Sequence, residues 1–132
     1  DIFGYRGISA KPNALVLWYG CFDYYHNGRL LEDWVYQNFF GTDNLDSVRE
    51  ELEMSSPLRH ITNKATPTFL QHGRSDTVVP YTQSEAYYKL LLKHMKQCRL
   101  ELMEGMDHAD AKLFTKINIM RMFDFTDMVL GR

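Results

Sequence analysis

Pro67-Thr68-Phe69-Leu70-Gln71-His72-Gly73 is a short apolar run held between two chain breakers. Pro67 has no N–H to give to a ladder and Gly73 frees the backbone to turn. Residues 68–72 are therefore predicted to form a strand. Arg74 to Pro80 follows as a polar loop. Thr82-Gln83-Ser84-Glu85 then fits a capping box, with Thr82 as N-cap and Glu85 reaching back. The helix behind it is predicted to reach about Gln97, with Ala86, Tyr87, Leu90, Leu91, His94 and Met95 on one stripe. Leu100-Glu101-Leu102-Met103 alternates, and is the next strand.

The pattern repeats outward in both directions. Ala14-Leu15-Val16-Leu17-Trp18-Tyr19 is a continuous apolar run closed by Gly20, which suits a strand buried on both faces, as in a parallel sheet. Between it and Pro67, a helix is predicted over Arg29 to Phe40. It rests on Leu30, Leu31, Trp34, Val35, Asn38 and Phe39, and stops at Gly41. A short helix over Leu45 to Met54 follows, capped by Asp43 or Asn44 and broken by Ser55-Ser56-Pro57. The last helix spans about Ala111 to Leu130, with Ile119, Met122, Phe123, Thr126, Val129 and Leu130 as its stripe. Asp1 to Asn13 is an irregular lead-in. Strands separated by helical crossovers imply an α/β fold with parallel pairing and right-handed connections. The length suits one compact domain, residues 1–132.

Composition narrows the function classes. The chain carries 15 basic and 17 acidic residues, a net charge of -2, with no basic run, so a nucleic-acid partner is not expected. No apolar stretch is long enough for a membrane span. Cys21 and Cys98 form no CxxC pair, so zinc and thioredoxin-type sites are not expected. Two buried thiols are the preferred state, with a disulfide between them left open. Neither cofactor nor metal is implied. The compartment is not legible.

In a parallel sheet, ligands gather beyond the carboxyl ends of the strands. Three polar segments leave those ends: Gly20 to Asp23, Gly73 to Pro80, and Gly105 to Asp110. The second carries Asp76 and the third His108. Neighbouring strands lie about 5 Å apart, so these loops can bring the two side chains into hydrogen-bond contact. A carboxylate orienting an imidazole is the acid–base half of a serine-hydrolase relay. Either residue taken singly reads first as a loop-stabilising group, and only the pair in matching loops points to a relay.

The paired motifs resemble a known family. His72-Gly73-Arg74-Ser75-Asp76-Thr77-Val78-Val79-Pro80 is similar to the HGxxDxxVP segment of esterase- and lipase-like α/β-hydrolases. Glu104-Gly105-Met106-Asp107-His108-Ala109-Asp110 resembles the GxxH segment that carries their histidine. Ser55-Ser56-Pro57-Leu58 and Trp18-Tyr19-Gly20-Cys21-Phe22-Asp23 resemble two further segments. The similarity runs from about Asn13 to Leu130, and is strongest toward enzymes of the feruloyl-esterase, acetyl-esterase and hormone-sensitive-lipase-like type. The resemblance implies the C-terminal part of an α/β-hydrolase fold, about three parallel strands with flanking helices. It implies Asp76 and His108 as catalytic residues acting on a small-molecule ester in the intact parent.

The resemblance has one gap. The nucleophile elbow GxSxG is absent, since none of Ser9, Ser47, Ser55, Ser56, Ser75 and Ser84 has a glycine two residues away on both sides. An HGGG-type oxyanion segment is absent too. The expectation is a partial domain lacking the N-terminal half, inactive by itself and prone to self-associate or to pair with that half through its exposed edge strand. Two other readings stay open: a segment of a prolyl-oligopeptidase-like peptidase, and a non-catalytic α/β module.

Other residues carry weaker signals. His72 is expected to pack and shape the Asp76 loop. Asp107 and Asp110 flank His108 without metal-ligand spacing. Cys21 follows a strand but opens no helix, which argues against a nucleophile. Trp34, Tyr36, Phe39 and Phe40 are expected in the core rather than around an acyl pocket. His26, His60 and His94 are expected at the surface.

Overall fold

The computed structural model describes residues 7–25, 33–94 and 97–132. Its centre is a parallel three-stranded sheet in the order β1 (Leu15–Trp18), β2 (Thr68–Gly73), β3 (Cys98–Met103). Leu15 pairs with Thr68 and Thr68 with Cys98, so the carboxyl ends of all three strands lie at one edge of the molecule. Helices α1 (Asp33–Phe40) and α2 (Arg49–Ser55) connect β1 to β2, with a 3-10 turn at Leu45–Val48 ahead of α2. Helix α3 (Thr82–His94) connects β2 to β3, and α4 (Lys116–Leu130) follows β3. The fold is α/β, three parallel strands with flanking helices, as the breakers around residues 67–73 predicted.

β2 is buried along its whole length, because it alone is paired on both edges and covered on both faces. On one face Leu70 packs with Tyr87 and Leu91 of α3 and with Phe22, whose ring stacks on Tyr87 at 4.2 Å. On the other face Phe69 meets Phe125 of α4, with ring centroids 5.5 Å apart. Each such buried side chain contributes about 1.5–3 kcal/mol. The polar residues of β2 are satisfied across the sheet. Trp18 Nε1–H donates to Gln71 Oε1 at 2.7 Å, and Gln71 Nε2 donates to Glu101 Oε2 at 2.9 Å, one residue from each strand at the same register. β1 is only half-buried, not covered on both faces as expected, because it is the edge of this sheet.

A second cluster lies beneath the loops and holds Tyr36, Leu45, Leu52 and Val79. Here the helical stripes differ from expectation. In α1 Tyr36 is fully buried with Val35 and Phe40 against it, whereas Trp34 and Phe39 are 60% and 75% exposed. Leu30 and Leu31 lie outside the described residues, as do His26 and Met95. In α4 the sheet-facing residues are Asn118 and Phe125, half-supported by Met122 and Val129. Phe123 and Leu130, predicted on that stripe, are exposed. The sheet accepts a narrower strip than the apolar positions on these helices could fill.

α3 is rotated similarly. Its buried residues are Gln83, Ser84, Tyr87 and Leu91, while Ala86 and His94 are exposed. The helix begins at Thr82 itself, so Thr82 lies inside the first turn instead of capping it. Gln83 Oε1 accepts from the backbone N–H groups of Phe22 (3.1 Å) and Asp23 (2.8 Å), which pins the segment leaving β1. Ser56 Oγ accepts from the Tyr24 N–H at 2.8 Å and fixes the same segment from the α2 side. The two cysteines are free thiols, not a disulfide.

Candidate functional site

Gly73 explains how close the two loops come. A Cβ there would lie 2.1 Å from the Met106 carbonyl oxygen. Only glycine lets the loop after β3 cross directly over the end of β2. The crossing is stitched by two backbone bonds: the Arg74 N–H donates to Met103 O (2.9 Å) and the Ser75 N–H to Met106 O (3.0 Å).

Asp76 sits in the first of these loops with its side chain fully buried. Its Oδ1 accepts from the N–H groups of Val78 (2.9 Å) and Val79 (2.8 Å), an Asx-type turn that closes the loop on itself. Val79 is buried in the second cluster, so the turn is anchored to the core. Asp76 Oδ2 faces two imidazoles. His108 Nδ1 lies 2.9 Å away and His72 Nε2 lies 3.0 Å away. Three N–H donors thus bond this carboxylate, and His72 Nε2 lies at contact distance beside them.

His72 is wholly buried. Its Nε2 faces two acceptors, Asp76 Oδ2 and the Val79 carbonyl at 2.9 Å, so that nitrogen carries the hydrogen. Its Nδ1 then accepts from the Ser84 hydroxyl at 2.7 Å. Burial pushes the His72 pKa below its ordinary value, against the Val79 carbonyl and Asp76, which favour the charged form. The ring is a neutral prop in the Nε2–H tautomer.

His108 is held on several sides. Asp107 Oδ1 accepts from the His108 N–H (2.7 Å), the Thr77 N–H (2.8 Å) and the Thr77 hydroxyl (2.9 Å). Asp107 therefore clamps the histidine loop onto the Asp76 loop. The Thr77 N–H first, then the His108 N–H, hold the Asp107 carboxyl below the usual carboxylate range. Tyr19, just past β1, lies with its ring centroid 4.5 Å from that of His108. It does so from a left-handed backbone, φ 39°, which is uncommon for a bulky residue. The His108 side chain remains 27% exposed, and its Nε2 makes no hydrogen bond among the described residues.

Asp76 and His108, predicted from separate motifs, are therefore in direct contact, and His72 packs behind them. Ser84, Asp107 and Tyr19 were missed as parts of the site. Ser84 was visible within the Thr82–Glu85 pattern, and Asp107 as the neighbour of His108. Tyr19 left no sign beyond its place before Gly20. Among the described residues no group of three or more His, Cys, Asp or Glu is placed to hold a metal ion. Burial pushes the Cys21 thiol up to about 11, so it is no activated nucleophile. A groove of about 430 Å3 lined by Leu58, Thr82, Gln83, Ala86 and Leu90 includes neither Asp76 nor His108. No helix among the described residues is long and apolar enough to cross a membrane.

Comparisons with known proteins agree with this geometry at the level of fold. A model of the BD-FAE family matches residues 6–91, a span that includes Asp76 and stops short of His108. The chain is 29% identical over 135 residues to a probable isoprenylcysteine alpha-carbonyl methylesterase, ICMEL1, of Arabidopsis thaliana. The match covers 99% of this chain and 28% of that protein. Among solved structures, a bifunctional GH43-CE protein of Bacteroides eggerthii superposes with a TM-score of 0.77 at 24% identity, covering 95% of this chain and 18% of the other. A truncated carbohydrate esterase from gut microbiota superposes with a TM-score of 0.71 at 20% identity, covering 89% and 43%. The chain thus spans less than half the length of each of these relatives.

Proposed function

Because the chain belongs to the BD-FAE family, an esterase-like branch of the α/β-hydrolases, we propose that it supplies the acid and base of a serine carboxylic-ester hydrolase. Asp76 and His108 are the two members, and the serine comes from polypeptide outside these 132 residues. The observation that carries this reading is the 2.9 Å contact of His108 Nδ1 with the fully buried Asp76 side chain, in a partly exposed ring whose Nε2 makes no hydrogen bond among the described residues. The methylesterase and carbohydrate-esterase relatives lend support to ester substrates.

The chemistry follows from the ring's two ends. Asp76 accepts the Nδ1–H and so leaves the Nε2 lone pair facing outward. That lone pair takes the proton of the serine hydroxyl as it attacks the ester carbonyl. The imidazolium, stabilised by Asp76, then returns the proton to the leaving alcohol. Water repeats both steps to release the acid. Tyr19 packs against the ring, and Asp107 holds the His108 backbone that carries it.

Two experiments test the reading. The coding sequence upstream of Asp1 should contain an in-frame GxSxG, and a start codon close to Asp1 with no such motif after it overturns the proposal. The longer protein should hydrolyse p-nitrophenyl acetate, and Asp76→Asn should lower kcat about 10⁴-fold by favouring the wrong His108 tautomer. Cleavage of proline peptides without ester turnover would assign it to the peptidase branch instead. The 132-residue chain by itself should show no turnover.

A further inference from the structure

His72 and Ser84 are buried polar groups behind Asp76 that the proposed chemistry leaves without a task. Together with Asp76 they form a chain of contacts: Ser84 Oγ to His72 Nδ1 at 2.7 Å, and His72 Nε2 to Asp76 Oδ2 at 3.0 Å. This is the connectivity of a serine-hydrolase triad, but Ser84 is 1% exposed and His72 fully buried, so no substrate reaches the hydroxyl. The serine here orients and does not attack.

We propose that Ser84 and His72 are positioning residues that act through Asp76 on His108, with Ser84 anchoring the His72 ring and His72 sharing Oδ2 with the His108 Nδ1–H. The role rests on the catalytic reading of Asp76 and His108. The geometry gives each link one direction. Nε2 of His72 meets only acceptors, Asp76 Oδ2 and the Val79 carbonyl. Nδ1 must then be the acceptor, and the Ser84 hydroxyl the donor. The titratable groups facing His72 are Asp76, from the loop after its own strand, and His108, from the loop after β3.

The sharing has a chemical consequence. A carboxylate oxygen that already accepts one N–H is a weaker acceptor for a second. His72 therefore moderates the bond that Asp76 makes to His108, and holds Oδ2 in line with Nδ1 at the same time. The depressed basicity of His72 supports the arrangement, because a neutral ring keeps the Ser84-to-His72 direction intact across neutral pH.

The test is made on the full 132-residue chain, labelled with nitrogen-15, by long-range nitrogen–proton NMR of the imidazoles. In the wild type His72 should be a single Nε2–H tautomer that stays neutral at pH values where a free imidazole is already protonated. Ser84→Ala removes the donor that anchors Nδ1, so the His72 Nδ1 nitrogen-15 shift should change with the Nε2–H tautomer kept, and the His108 Nδ1–H resonance should move. His72→Leu should shift that resonance downfield, as Asp76 becomes a stronger acceptor. His72→Gln, which places an amide N–H near the Nε2 position, should restore it. The proposal is overturned by an Nδ1–H tautomer of His72 in the wild type. It is equally overturned if Ser84→Ala, the mildest of the three, leaves the His108 resonance unmoved in folded protein. A longer protein that hydrolyses no ester while these signatures persist would sink the catalytic reading and leave the relay standing.

Discussion

Substituting Gly73 by alanine should separate the two site loops. The added Cβ would lie 2.1 Å from Met106 O, 2.7 Å from Met106 C and 3.1 Å from Met106 Cβ. Two of these atoms are backbone, so no side-chain rotation relieves the contact. Ordinary contact requires the Met106 carbonyl to retreat by about 1.3 Å. That motion takes the 3.0 Å Ser75-to-Met106 bond beyond hydrogen-bonding range, a loss of about 1 kcal/mol. Overpacking at a closed contact adds about 1–3 kcal/mol. The expected destabilisation is thus about 2–4 kcal/mol, read as a lower urea midpoint with an unchanged slope. Met106 is two residues from His108, so the same retreat should weaken the 2.9 Å contact with Asp76 and alter the His108 Nδ1–H resonance. In the longer protein, misplacement on the order of 1 Å costs about 10²-fold in turnover. A Gly73→Ala chain within about 0.5 kcal/mol of wild type, the ordinary scatter of surface substitutions, with an unchanged His108 resonance, would refute the reasoning.

Two further outcomes follow from single side chains. The folded Asp107 carboxyl is depressed by the Thr77 and His108 N–H groups, so its contribution to stability is complete above the ordinary carboxylate pKa and is lost as pH falls through the depressed value. Asp107→Asn should flatten that part of the acid limb of the unfolding midpoint, and an unaltered limb would remove the clamp's electrostatic role. For Cys21, raised to about 11 chiefly by burial, the thiolate fraction at pH 7 is about 10⁻⁴. Its reaction with a disulfide reagent in folded protein should be far slower than in urea, and equal rates would contradict the shielding of this half-buried thiol.

Much of the fold was legible because its punctuation is local. Pro67 and Gly73 bound β2, Gly20 closes the run that contains β1, and Gly41 ends α1. Asp76 and His108 could be paired in advance because parallel strands deliver successive loops to the same edge. The helical faces were less legible. Phe123 and Leu130 share the apolar character of Met122 and Val129, and nothing along the helix says which strip the sheet will accept. Ser84 and Gln83 resembled helix-start chemistry, yet both point inward, one to His72 and the other to the segment after β1.

By itself, then, the sequence determined the element order, the parallel sheet and the two loops that carry Asp76 and His108. Periodicity and chain breakers act within about ten residues, a distance over which neighbours along the chain are neighbours in space. Only the tertiary structure decided that Gly73 must yield to Met106, that Asp107 clamps Thr77, and that Tyr19 leans on His108 from a left-handed backbone. Those contacts join residues 30 or more positions apart, and their strength comes from the close approach of two loops that no local pattern records.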